Sequence, residues 1–422
     1  MRGIRLVITG WVALFCCATS YAQVTLSPFT LYGVGDIKEG SFANQFAMGD
    51  LGIGTPTVFH INGMNPAMLT RNLMSTFQMG VVADIRTLSS SNGSDRNGGA
   101  NLSYFAYAFP IVSGKWSSSF GLVPLSRMNY NIGYTTNVNN STTQVEYLFK
   151  GSGGLSKAYF SNGFKIYKGL SLGVRGSFVF GEFNKSAETL LLGVPSGTNY
   201  TTAYREKINY ADFEFGGGLH YQQKVTERTA INLGVVYDLP SSISGTRFAG
   251  LERRSGSGGS TPGDTLILDQ SVAFNLPKKL GFGVSFENLN KFTVGFDARI
   301  SEWNENPSPE IVSTTYQKGL KLVLGGEYTP DISSVDSYLA RTTFRLGAAW
   351  ERLPYLANGN DVTDFGINFG SSFPMGVSSF DVAAKIGRRG SVTDNLIKEN
   401  YIQIYIGATI NDRGWFVRRK YD

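Results

Sequence analysis

The stretch Lys291-Phe292-Thr293-Val294-Gly295-Phe296-Asp297-Ala298-Arg299-Ile300 alternates without a lapse: its even positions are apolar, its odd ones polar, charged or glycine. Period two puts successive side chains on opposite faces of a strand, so the segment has one greasy and one polar face. The pattern returns at Thr342, Phe344, Leu346, Ala348 and Trp350, opposite Arg341, Thr343, Arg345, Gly347 and Glu351. It returns again at Ile402, Ile404, Ile406, Ala408 and Ile410, opposite Tyr401, Gln403, Tyr405, Gly407 and Thr409. A soluble sandwich also alternates, but its strands average about 5–6 residues. Segments of ten or more approach the tilted span of a membrane strand.

Outward from these segments the spacing predicts fourteen strands, near 75–88, 99–110, 115–133, 143–165, 169–184, 204–222, 228–241, 271–287, 291–302, 315–329, 341–353, 362–373, 377–388 and 399–410. Short turns near 111–114, 166–168, 224–227, 287–290 and 374–376 alternate with long polar loops at 89–98, 134–142, 185–203, 242–270, 303–314, 354–361 and 389–398. That is the rhythm of a transmembrane barrel with short periplasmic turns and long outer loops, and 330–340 is the one long connection on the short-turn side. The fold class expected is all-β, a transmembrane antiparallel β-barrel of about 14 strands spanning 74–412. An even strand number leaves both termini periplasmic, in the outer membrane of a Gram-negative bacterium.

Composition agrees. Of 422 residues 17% are charged and 13% aromatic, and 51 glycines outnumber 14 prolines, which suits neither a disordered chain nor a helical one. After the first two dozen residues no run approaches the roughly 18 apolar residues of a membrane helix. Residues 1–22 read as a secretory signal: Arg2 and Arg5, an apolar stretch from Leu6 to Ala18, and Ser20-Tyr21-Ala22 as the cleavage site. Both cysteines, Cys16 and Cys17, fall inside it, so the exported chain is expected to lack thiols, disulfides and, with Phe15 before Cys16, a lipid anchor. The 38 basic residues, less Arg2 and Arg5, against 32 acidic ones leave +4, no argument for nucleic acid. The basic tail 413–422 either meets head groups or a periplasmic partner, or is only solvated.

Residues 23–73 are rich in Gly and Asn, poor in alternation and too short for a domain; an N-terminal hatch folded into the lumen accounts for them. They contain His60-Ile61-Asn62-Gly63-Met64-Asn65-Pro66-Ala67, preceded by Ala47-Met48-Gly49-Asp50-Leu51-Gly52-Ile53-Gly54. These resemble the Asn-Pro-Ala hatch signature, and the glycine-rich stretch before it, of FadL-type outer-membrane transporters. Leu276-Pro277-Lys278-Lys279-Leu280-Gly281-Phe282-Gly283, Thr343-Phe344-Arg345-Leu346-Gly347 and Trp415-Phe416-Val417-Arg418-Arg419-Lys420 look like the Bacteroidota version of that family. The resemblance implies a fourteen-stranded barrel with a hatch that takes up long-chain fatty acids or other hydrophobic compounds, and a kinked third strand that opens the wall toward lipid. The family's acidic hatch position has no clear counterpart, so no cargo-binding residue carries over.

Candidate sites follow. Asn65, Pro66 and Ala67 would form the hatch element, at the least a turn, since proline after asparagine initiates one. Gly121 and Pro124 in the third strand are candidates for the lateral opening; proline donates no ladder hydrogen bond, and the alternative is that Pro124 merely ends the strand. Lys291, Asp297, Arg299, Lys321, Glu327, Arg341, Arg345 and Glu351 share the polar face and are assigned to the lumen, because a lipid-facing charge at mid-depth costs about 2–4 kcal/mol. Arg299, Arg341 or Arg345 would attract a carboxylate, or these ions pair with one another. Leu190, Leu191 and Leu192 are an apolar loop candidate for docking or cargo. His60 and His220 have no marked serine nucleophile beside them, so no enzyme is expected, and no cofactor or metal site.

The expected function is passive uptake of hydrophobic compounds across the outer membrane. Its partners would be a fatty-acid-like ligand, outer-membrane lipid and lipopolysaccharide. The alternative is a FadL-fold structural or shuttle subunit of a protein secretion or barrel-assembly complex, with other outer-membrane or periplasmic proteins as partners.

Overall fold

A computed structural model describes residues 25–38, 40–139, 141, 143–193, 200–255, 260–303 and 314–414. The expected signal at 1–22 and nearly all of the basic tail lie outside them. Fourteen antiparallel wall strands form one closed cycle. They are β1 (Ser75–Ser90), β2 (Gly93–Val112), β3 (Trp116–Pro124, resuming as Ser126–Asn137), β4 (Gln144–Tyr167), β5 (Leu170–Leu192), β6 (Tyr200–Lys224) and β7 (Thr229–Asp238, resuming as Ser241–Ser255). After them come β8 (Ser260–Leu276, resuming as Lys278–Asn288), β9 (Phe292–Glu302), β10 (Gly319–Tyr328), β11 (Thr343–Ala357), β12 (Asn360–Met375), β13 (Ser378–Ser391) and β14 (Ile397–Asp412). β14 closes on β1 from Lys398↔Ser89 to Asp412↔Ser75, so the barrel begins and ends on the same side. Closure pairs strand edges that would otherwise invite aggregation.

The alternation sorts as read. Val294, Phe296 and Ile300 point outward and are exposed, as are Phe344, Leu346, Ile402, Ile404, Ile406 and Ile410, whereas Asp297, Arg345, Gln403 and Thr409 are buried inside. An outward belt of large apolar side chains around a polar interior is the surface of a membrane-spanning barrel.

Most of the long loops expected from the sequence are strand. β4, β5 and β6 run 24, 23 and 25 residues, more than twice what a bilayer needs. On β5 the outward face is Val174, Phe178 and Phe180, then Glu182 and Asn184, and Glu182 pairs with Lys207 of β6 at 2.7 Å. Above that point both faces are polar or mixed, so the hydrophobic signal that marks a strand in lipid is lost while the ladder continues. For that reason segments 89–98, 185–203, 242–270, 354–361 and 389–398 look like loop in the sequence; 194–199, 256–259 and 304–313 lie outside the described residues. Leu190, Leu191 and Leu192 thus lie on β5, opposite Glu146, Val145 and Gln144 of β4, not on a loop. Only Leu191 is exposed, at 43%; Val194 and Pro195 beyond them are not described.

The upper parts of β3 to β8 stand above the lipid belt as one sheet, ordered β3-β4-β5-β6-β7-β8. On its concave face Met128, Tyr130, Leu155, Phe183, Ile208, Ile243 and Phe274 form an apolar cluster with Val34 of the N-terminal segment.

Residues 25–74 fill the barrel as a plug. Their hydrogen bonds reach nearly all round the wall. Ile61 N donates to Gln78 on β1 (2.7 Å), Thr70 meets Ser171 on β5 (3.0 Å), and Asn65 donates to Leu219 O on β6 (3.0 Å). Gly52 N donates to Asp297 on β9 (2.8 Å), Asn368 on β12 donates to Phe46 O (2.6 Å), and Ser27 meets Glu399 on β14. Only a segment in the lumen can touch all these strands. The wall admits it closely where Gly234 faces Ile53 O and Gly283 faces Gly54, positions at which a Cβ would collide with plug backbone.

Candidate functional site in the plugged lumen

Asn65 does more than start a turn. Its side chain caps the short 3-10 helix Pro66–Arg71 by accepting from Ala67 N (3.0 Å), and its amide donates to Ile53 O (2.9 Å) as well as to Leu219 O. Pro66 and Ala67 lie against Gly173 of β5, where a Cβ would strike their backbone. Asn62, which sequence reasoning passed over, is the matching staple. It accepts from Gln45, Met64 N and Asn65 N and donates to Gly52 O and Thr55 O.

The lumen charges resolve into networks shared by wall and plug. Asp297 accepts from the successive amides of Gly52, Ile53 and Gly54, with Arg299 at 3.3 Å. Arg299 also donates to Asp50 O, and Lys321 pairs with Asp50 at 2.8 Å and with Glu351 at 3.7 Å. Burial alone would raise the Asp50 carboxyl, but Lys321 and Lys385 hold it well below the usual carboxylate range. Glu327 and Arg345 pair at 2.9 Å, and Arg345 reaches Ser372, which meets Asp381.

Two assignments are corrected. Lys291 is exposed in the turn before β9, donating to Pro330 O and lying over the Tyr328 ring; Arg341 ends the short helix Tyr338–Arg341, stacked on Tyr338. Both lie beyond the strand ends, where extrapolated alternation no longer dictates a face. A larger network went unread: Arg86 binds Asp84 and Glu399, and Arg389 joins Asp36 to Asp364. Burial would raise the Asp36 carboxyl, yet Arg389, Lys38 and Arg86 keep it well below its ordinary value. The signal was available, since Asp84 and Arg86 share one face of β1.

The histidines are structural hydrogen-bonding groups. His60 Nε2 meets Asp381 at 3.1 Å and Ser379 at 3.3 Å. One ring nitrogen cannot serve both partners of a Ser–His–acid relay, which needs one for each. His220 meets Asn232 at 3.2 Å.

The wall breaks at the third strand. The β2–β3 ladder ends at Phe105↔Leu122, and among the wall strands the upper part of β3 pairs with β4 alone. Pro124 ends the first segment of β3, two residues past the last pair with β2, whereas Gly121 sits in the closed ladder, opposite Ala106 and crowded by Tyr159, so it is removed as an opening residue. Plug residues fill the break. Lys38 N donates to Leu125 O (2.9 Å), Asp36 and Ile37 pair with Arg127 and Ser126, and Ser27 N donates to Asn129 O (2.8 Å). On the β2 side Leu26 N donates to Asn97 (2.9 Å), and Arg127 bridges to Leu102 O at 3.0 Å. Gly35, at φ +82°, makes the approach possible, because a side chain there would meet Arg127 O. Behind this stopper lies a cavity of ≈190 Å³. Its walls include Pro124, Arg127 and Lys279 and two stacked pairs, Tyr32 with Tyr355 and Trp303 with Tyr316.

A family model described as BamG matches residues 4–422. The chain belongs to the BamG family. No curated protein matches it. Solved structures similar to this BamG-family barrel include the Pseudomonas putida toluene transporter TodX, with a TM-score of 0.57 at 17% identity over 90% of this chain and 99% of that one. A Pseudomonas aeruginosa FadL homologue gives 0.57 at 15% over 93% and 99%, and the CymD monoaromatic hydrocarbon channel 0.54 at 16% over 90% and 99%. The BamG-family barrel therefore has the FadL-type fold. At these identities the likeness concerns fold alone.

Proposed function

We propose that this chain is an outer-membrane barrel that passes small hydrophobic compounds, such as fatty acids, by withdrawing plug residues 25–38 from the wall break. The observation that carries the reading is the unpaired upper edge of β2, stoppered by the plug beside a cavity whose wall mixes stacked aromatic rings with charged side chains. TodX and CymD, which share the fold, are described as a toluene transporter and a monoaromatic hydrocarbon channel. The short turns face the periplasm in this reading, as in bacterial barrels generally, and both chain ends lie there. Facing Ile37 and Ser126 are ladder partners, and both native cysteines fall within 1–22. The variant Ile37→Cys/Ser126→Cys should therefore form a clean lock. Uptake of a labelled fatty acid or toluene should stop when it is oxidised and return on reduction; equal uptake in both states sinks the lateral route.

A second reading, a structural subunit of a secretion or barrel-assembly complex, is favoured by the plug's many ion pairs and the tall sheet above the lipid belt. Both suit a fixed body with a docking surface. Mild-detergent purification from the native membrane distinguishes the two: enriched apolar ligand supports the channel, a stoichiometric protein partner the subunit.

A further inference from the structure

The short-turn end carries one anomaly. Its other connections are two to four residues long, but β10 and β11 are joined by Thr329–Thr342. This segment is held in shape by its own bonds. Asp331 N donates to Ala340 O (2.7 Å), Ser333 N donates to Asp331 (2.9 Å), Ala340 N donates to Ser337 (3.3 Å), and Tyr338 donates to Pro374 O at the end of β12 (3.1 Å). A loop fixed in this way cannot fold its apolar side chains away. Val335 is 88% exposed and Leu339 64%, with Ile332 and Tyr338 also exposed. Ile332 borders a notch of ≈80 Å³ whose walls include Val58 and Phe59 of the plug and Leu289 of the β8–β9 turn, with Glu287, Glu327 and Lys291 lining it as well. The loop therefore runs beneath the barrel mouth, from the plug to the rim, rather than along the lipid belt. Asp331 and Asp336 are exposed on either side of Val335, whereas the cations of this region are tied back, Arg341 stacked on Tyr338 and Lys291 donating to Pro330 O.

We propose that Val335, Leu339 and the notch at Ile332 form a docking surface for a periplasmic protein that offers an apolar side chain flanked by basic residues. The site rests on the orientation proposed above and is independent of any cargo. Ordered apolar exposure of this kind marks an interaction surface, and the two carboxylates select a cationic rim on the partner.

The orientation is read first. Val335→Cys in whole cells should react with a membrane-impermeant maleimide only after the outer membrane is permeabilised; labelling of intact cells sinks the orientation itself. A photo-crosslinking residue at Val335, and separately at Leu339, should then give the same single protein adduct, with none from Tyr134 at the other end. Asp331→Lys/Asp336→Lys should cut the yield at least fivefold while the heat-modifiable mobility of the folded barrel is unchanged. An adduct indifferent to the charge reversal overturns the proposal, as does the absence of any protein adduct. Quenching of a Val335→Trp variant by brominated phospholipid would assign the surface to lipid instead.

Discussion

Asp50 of the plug and Lys321 of β10 lie 2.8 Å apart, both largely buried, and join a segment tied covalently to the wall only at Ser75 of β1 to the far side of the barrel. Removing one partner leaves the other charged in a low-dielectric site, which costs far more than the intact pair contributes. Lys321→Ala should therefore loosen the plug by about 3 kcal/mol. Asp50→Asn combined with Lys321→Met should recover most of that loss. Urea titration followed by protease access to residues near Asp50 measures both.

The same carboxyl sets a pH dependence. Asp50 is held below its unfolded value, about 4, so its stabilisation is complete above that value and is lost as pH falls through the depressed folded value. Plug protection should be flat from pH 8 to 5 and decline only below about 4. In Asp50→Asn the acid-dependent part should shrink. A decline that begins near pH 6 would assign the effect to other groups.

The barrel was legible because lipid outside and polar groups inside force period two onto Phe292–Glu302 and Ile397–Asp412. Legibility failed where that contrast ends. Above Glu182 and Lys207 the outward face is polar, so the ladder that continues to Leu192 looked like loop. Below Phe292 and Thr343 the alternation was carried past the strand ends, which misplaced Lys291 and Arg341. Pro124, where the sequence leaves a break or a strand end open, ends the first segment of β3 beside the gap, but no local pattern indicates that Asp36 and Ile37, some ninety residues earlier, fill it. Pairing of that kind is a property of the closed cylinder, not of any segment.

Asn65 should be the least replaceable residue of the hatch signature. Alanine there removes a helix cap and leaves Ile53 O and Leu219 O without their donor in a buried site. Asn65→Ala should destabilise plug docking by about 2 kcal/mol, and Asn65→Asp, which keeps the cap and loses the donor, by somewhat less. Hydrogen exchange at Ala67 separates the contributions: it should rise in the alanine variant and stay slow in the aspartate one.

Gly234 offers the sharpest test of the plug as a seal. The β7 ladder around it pairs with β6 and β8 through backbone alone, so a side chain does not disturb the wall. A Cβ at that position does, however, collide with Ile53 O. Backbone on both sides cannot give way, and the plug must shift. Gly234→Val should thus yield a barrel of normal heat-modifiable mobility that conducts ions in a planar bilayer, where the native protein should stay silent. A closed variant would mean that residues 52–54 can reseat without losing the amides that Asp297 gathers.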